Sequence, residues 1–285
     1  GELSEFLGGN SPGSSYDNWV SHVTEGIASE GFNDYGPDWL DVQTTGFGNY
    51  NKLESGDPIL SYWEDIFSGF ILGDTTLVDS LLQDSVESFY YELVIFEDTV
   101  YNQVFHIIRE QLDTSFIDIN QSDNDLDDVV GSFRNGWGMY IINPQATREQ
   151  VIVQVPHPCD DFIAPYIAMD IFLETNAFAF MINGAGREVL WTEVGNYSNS
   201  KSLSDPSRYP NTIFQKFQEV AVHPLVGIDP HWPLVFAIHS FDNESHAPRK
   251  SVIVAAGLQN SFTTKPIRDI TEDHFWDSLS NIFYE

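Results

Sequence analysis

Short, nearly continuous apolar runs punctuate the second half of the chain: EQVIVQVPH (149–157), AFAFMING (177–184), PLVFAIHSF (233–241) and KSVIVAAG (250–257). Runs of this length with almost no polar interruption suit strands covered on both faces. APYIAMDIFLETN lies between the first two and NTIFQKFQEVAVH between the second and third. Both carry apolar residues at helical spacing, at the separation a βαβ crossover needs. Residues 144–285 therefore read as an α/β domain, with a mostly parallel or mixed sheet flanked by helices.

The texture before Asn143 is different. DPILSYWEDIFSGFILG and LVDSLLQDSVESFYYELVIFEDTVYNQVFHIIREQL repeat apolar residues every three to four positions, and the second is long enough for two helices. YDNWVSHVTEGIA adds another amphipathic segment, capped by Asp17 or Ser15. Residues 16–143 thus predict a mainly helical N-terminal region. The opening GELSEFLGGNSPGSS is rich in Gly and Ser and reads as a flexible tether over residues 1–15. Such a tether commonly follows a removed signal or a lipid anchor, which points to an exported protein.

Charge narrows the partners. Against 43 acids stand only 12 bases, for a net charge of -31, so the surface repels nucleic-acid phosphates and anionic membranes. No stretch approaches the roughly 20 apolar residues that span a bilayer. Cys159 is the sole cysteine, which excludes an intrachain disulfide and a cysteine-rich zinc module. In NQSDNDLDDVVGSF, Asp123, Asp125 and Asp127 fall at the first, third and fifth positions of a calcium loop. Asp128 then stands where the loop needs glycine and Arg134 where it needs the closing acid, so a solvated turn is the better reading.

The candidate chemistry lies after the strands. In open α/β sheets, ligands gather outside the carboxyl ends of the strands. The first run ends in His157, followed by Asp160 and Asp161. The second runs into NGAGRE, with Asn183, Arg187 and Glu188, and the third into IHSFDNE, with His239, Asn243 and Glu244. His157, Asp160 and His239, with Asp161 as alternative to Asp160, make two imidazoles and one carboxylate. That is a common catalytic zinc inventory, which leaves a coordination position for water. Glu188 and Glu244 are candidates for moving the proton from that water to a leaving amine. Arg187, and Arg208 in SDPSRYP, are bases beside the expected pocket of a very acidic chain, so they predict an anionic group on the substrate. Asn183 and Asn243 join them as candidate substrate contacts.

The order His157, acid three residues on, then distant His239 in IHSF resembles the zinc-dependent hydrolases of the phosphorylase/hydrolase-like fold. That group includes zinc carboxypeptidases, the succinylglutamate desuccinylase and aspartoacylase relatives, and N-formylglutamate amidohydrolases. The resemblance covers roughly residues 149–260. It implies a zinc-dependent hydrolase that cleaves an amide bond in a small peptide or N-acyl amino acid with a free carboxylate. The alternative is a catalytically inactive cell-surface binding or scaffold protein that retains the hydrolase fold.

Overall fold

The computed structural model describes residues 1–8, 19–21, 23, 50–84, 89–111, 113–118, 129–158, 161, 163–186, 203–222 and 234–239. Residues Gly1–Ser240 form one compact unit and Phe241–Glu285 a second, which lies outside the described residues. The expected run at 250–257 and the Asp123–Asp128 segment also lie outside them.

The frame is a mixed sheet in the order β1-β2-β5-β7-β6-β8. Its strands are β1 (Tyr91–Asp98), β2 (Gln103–Glu110), β5 (Met139–Ile142), β6 (Arg148–Val155), β7 (Ala177–Ile182) and β8 (Leu234–Ala237). A separate pair joins β3 (Asp113–Asp118) to β4 (Val129–Ser132). β7 and β8 flank β6 in parallel, whereas β1, β2, β5 and β7 pair antiparallel in turn. The chain is therefore α/β with a mixed sheet, and β6, β7 and β8 lie on the runs whose continuous apolar character predicts strands.

Helices cover both faces, which explains that continuous character. On one side Val151, Val153, Val155, Phe180 and Ile182 meet helix α1 (Leu3–Gly8), the short turn α2 (Trp19–Ser21) and α5 (Ala164–Glu174). On the other, Ile152, Ala179, Met181 and Tyr140 meet α3 (Pro58–Ile71), α4 (Thr75–Asp84) and α6 (Ile213–Val222). Helix α3 starts where Asp57 accepts the Ile59 amide at 3.0 Å with Pro58 in the first turn, an N-cap followed by a residue that needs no donor. No helix among the described residues is long and apolar enough to cross a membrane.

Two expectations are corrected. Among the described residues, the region 16–143 is not mainly helical: the beginning of the long predicted helical stretch lies in α4, while Tyr91–Asp98 and Gln103–Glu110 form the β1–β2 hairpin. Tyr91 pairs with Glu110 and Asp98 with Gln103 across that hairpin, and Asn102 takes a positive φ of 52° in its turn. Half the large sheet thus comes from before residue 143, so a boundary at 143/144 would cut through one sheet. Nor are residues 1–15 a tether throughout, because Leu3 and Leu7 are fully buried and the Leu3 amide donates to Asp98 Oδ2 at 2.7 Å. Burial of two leucines and a capped amide outweighs the Gly and Ser content nearby.

Strand β5 begins at a tight crossing of loops. Gly138 has φ +98°, and a Cβ there would lie 2.1 Å from the Ile182 carbonyl oxygen. Substituting Gly138→Ala combines a left-handed backbone with a clash against backbone, so a loss of roughly 3 kcal/mol or more is expected. Urea denaturation would measure it, and a loss below about 1 kcal/mol would show that the crossing relaxes freely.

Candidate metal centre

Strand register builds the centre. β8 runs beside β6 with Gln154 opposite Ala237, and the Ile238 amide donates to the Gln154 carbonyl at 2.9 Å. His157 and His239 therefore leave the sheet side by side, with ring centroids 4.9 Å apart. Beyond His157 the chain turns tightly: the Asp161 amide donates to the His157 carbonyl at 2.9 Å, and the Ala164 amide to the Asp161 carbonyl at 2.6 Å, at the start of α5. That turn folds the Asp161 carboxylate back onto both rings.

Asp161 Oδ2 lies 3.0 Å from His239 Nδ1 and 3.8 Å from His157 Nδ1. Three ligands sharing one tetrahedral zinc at about 2.0–2.1 Å sit about 3.4 Å from one another, a spacing that these two distances bracket. All three candidate ligand atoms lie within 4.8 Å of one another. His157 and Asp161 are buried while His239 is exposed, so the group opens to solvent on one side. Two neutral imidazoles and one carboxylate leave a divalent cation with net positive charge, as Lewis acid chemistry requires. The residues present thus fit a metal ion.

Asp205 supplies the support that spacing along the chain does not reveal. It is fully buried, and His157 Nε2 donates to its Oδ1 at 2.8 Å. The Ser207 amide donates to the same oxygen at 2.8 Å, closing an Asx turn, and Arg208 Nε donates to Oδ2 at 3.0 Å. Burial opposes ionisation of Asp205. The hydrogen bond from His157, the Ser207 amide and the Arg208 guanidinium outweigh it and hold the carboxyl below its usual range. An ionised Asp205 can only accept, so His157 carries its proton on Nε2 and turns the Nδ1 lone pair toward Asp161. Metal-ligating histidines are commonly fixed by a carboxylate in this way. The same tautomer disposes of Ser207 as a nucleophile activated by His157: its Oγ lies 3.4 Å from Nε2, which holds a proton and cannot take another.

The other predicted residues fall differently. Asp160, Arg187, Glu188, Asn243 and Glu244 lie outside the described residues, as does Cys159. Among the described residues, Asp161, the alternative acid, lies between the histidines. Arg208 stands beside the centre, anchored on Asp205 and 36% exposed at its side chain. Asn183 is buried, and its side-chain amide donates to the Ala185 carbonyl at 2.9 Å and the Ser204 carbonyl at 3.2 Å. Those bonds use its side-chain NH2 to brace the loop that carries Asp205.

That loop is braced at its other end as well. The Tyr209 hydroxyl donates to the Leu53 carbonyl at 2.8 Å and lies 3.2 Å from Glu54 Oε2. Residues 50–54 are in turn tied to the loop before β5, where the Trp137 indole donates to the Asn51 carbonyl at 2.7 Å and the Asn51 amide to the Asn135 carbonyl at 2.8 Å. Comparison with protein-family models, curated proteins and solved structures finds no match to this chain.

Proposed function

We propose that the protein is a zinc-dependent hydrolase cleaving an amide bond in a small peptide or N-acyl amino acid with a free carboxylate. The observation that carries this reading is the cluster of His157, Asp161 and His239, with Asp205 fixing the His157 tautomer. When bound, zinc supplies Lewis acidity that lowers the pKa of water and polarises an amide carbonyl. His157 Nδ1, Asp161 Oδ2 and one nitrogen of His239 would hold it. Arg208 is held beside His157 by its Nε bond to Asp205, and its planar guanidinium suits the grip of a substrate carboxylate. Glu188 or Glu244 would carry the proton from water to the leaving amine.

One observation favours the rival reading of a cell-surface binding or scaffold protein without turnover. Asp161 and Asp205, the two carboxylates that the described residues bring to the cluster, are both tied to histidines. Proton transfer therefore falls to a residue beyond them. Metal content by plasma mass spectrometry on untagged protein, followed by a screen of N-acyl amino acids and short peptides, separates the two. Near-stoichiometric zinc with turnover is expected. Zinc without turnover across the screen supports the rival, and no zinc after reconstitution overturns the metal reading itself.

A further inference from the structure

The loop bearing Asp205 reaches the metal cluster at one end and residues 50–54 at the other, and a single side chain joins them. The backbone amides of Arg208 and Tyr209 both donate to the Asp205 carbonyl, at 3.0 and 2.9 Å, so Asp205 and Tyr209 close one tight turn. Tyr209 is buried, and its hydroxyl ends on the Leu53 carbonyl and Glu54. Tyr50, at the start of the same segment, lies within electrostatic reach of this turn: burial, then the nearby Tyr209 and Asp205, push its phenol above the usual range. Asn51 pins the segment from behind through Asn135 and Trp137.

We infer that Tyr209 is a positioning residue of the metal centre, which clamps the Asp205 turn onto residues 50–54 and so fixes the imidazole of His157. The inference rests on the proposed metal site for its functional meaning. The polar route runs from Leu53 carbonyl to Tyr209 hydroxyl, through the turn to the Asp205 carboxylate, and on to His157 Nε2. Every bond on it is 3.0 Å or shorter. A turn released at Tyr209 lets Asp205 Oδ1 drift, and a drifting acceptor loosens the ring that must present Nδ1. This gives the segment before α3 a part in the centre that its distance along the chain conceals.

Tyr209→Phe keeps the ring and removes the hydroxyl. Zinc affinity would be measured by competition with a chelating dye for wild type, Tyr209→Phe and Phe70→Leu, the last a buried change in the core cluster that includes Leu53, which serves as a stability control. Partners that orient a ligand typically contribute 10–100-fold in affinity, so a group one step further out should contribute about tenfold. The expected result is about tenfold weaker zinc for Tyr209→Phe, with Phe70→Leu within about twofold of wild type. In the metal-free protein, the His157 Nε2 proton should exchange faster in Tyr209→Phe than in wild type, as read in nitrogen-edited imidazole spectra. Unchanged proton exchange, or an equal loss of affinity in Phe70→Leu, overturns the inference. If the wild type binds no zinc while Tyr209→Phe still exchanges the His157 proton faster than wild type, the proposed function fails and the clamp stands.

Discussion

Replacing His157 by alanine is expected to lower zinc affinity by at least about a hundredfold, more than the loss from any residue that merely orients a ligand. Asp161→Ala should lose a comparable amount, since its carboxylate is the one anionic ligand in the cluster among the described residues and sits between both rings. Asp205→Asn should cost about 10–100-fold while leaving the three ligands in place. An amide side chain can donate to Nε2 as well as accept from it, so it no longer selects the tautomer with Nδ1 bare. A competition titration on the purified variants would rank all three. Full affinity in Asp161→Ala, with loss in Asp160→Ala, would move the acid ligand to the neighbouring residue; full affinity in His157→Ala would remove the centre altogether.

The second large effect concerns a buried acid away from the centre. Glu110, at the end of β2, is almost wholly buried, and Oε1 accepts the Asn135 amide at 2.5 Å and the Asn135 side-chain amide at 3.0 Å. Desolvation outweighs these donors and pushes its pKa up to about 8. The native state therefore holds a proton that the unfolded chain, titrating near the usual 4.5, has already released. Stability from this group is fully present below about pH 4.5, and it is lost as pH rises toward 8, at no more than about 1.4 kcal/mol per pH unit. Glu110→Gln keeps an acceptor for Asn135 and cannot ionise. Urea midpoints should show the wild type losing on the order of 2–4 kcal/mol relative to Glu110→Gln between pH 5 and pH 9. Parallel pH profiles for the two proteins would mean that Glu110 is ionised in the fold and satisfied by its amides.

The pattern of what could be read from the sequence follows from burial. β6, β7 and α5 were legible because a strand covered on both faces writes an unbroken apolar run, and its crossover helix has its own period. The β1–β2 hairpin defeated the same approach. Leu93, Val94, Ile95 and Phe96 form a run with no alternation, although Ile95 is 48% exposed, and such a run followed by scattered apolar residues also fits a helix. Its aromatic and β-branched content was the signal for strands. That His157 and His239 lie together was legible because each follows the end of a neighbouring parallel strand. The turn bond from the Asp161 amide to the His157 carbonyl, which brings Asp161 back to the histidines, is not written in two adjacent identical residues. Asp205 and Tyr209 act across contacts of 48 and 156 residues along the chain, where spacing carries no information.

His239 follows β8, a four-residue strand that carries the exposed Phe236 and stands at the rim of the sheet among the described residues. Short rim strands open more readily than the interior of a sheet. An ion bridging His239 to His157 and Asp161 would act there as a staple, tying β8 to its neighbour β6. Occupancy and fraying then draw on a single equilibrium: every opening of β8 releases a ligand, and every bound ion holds the strand shut.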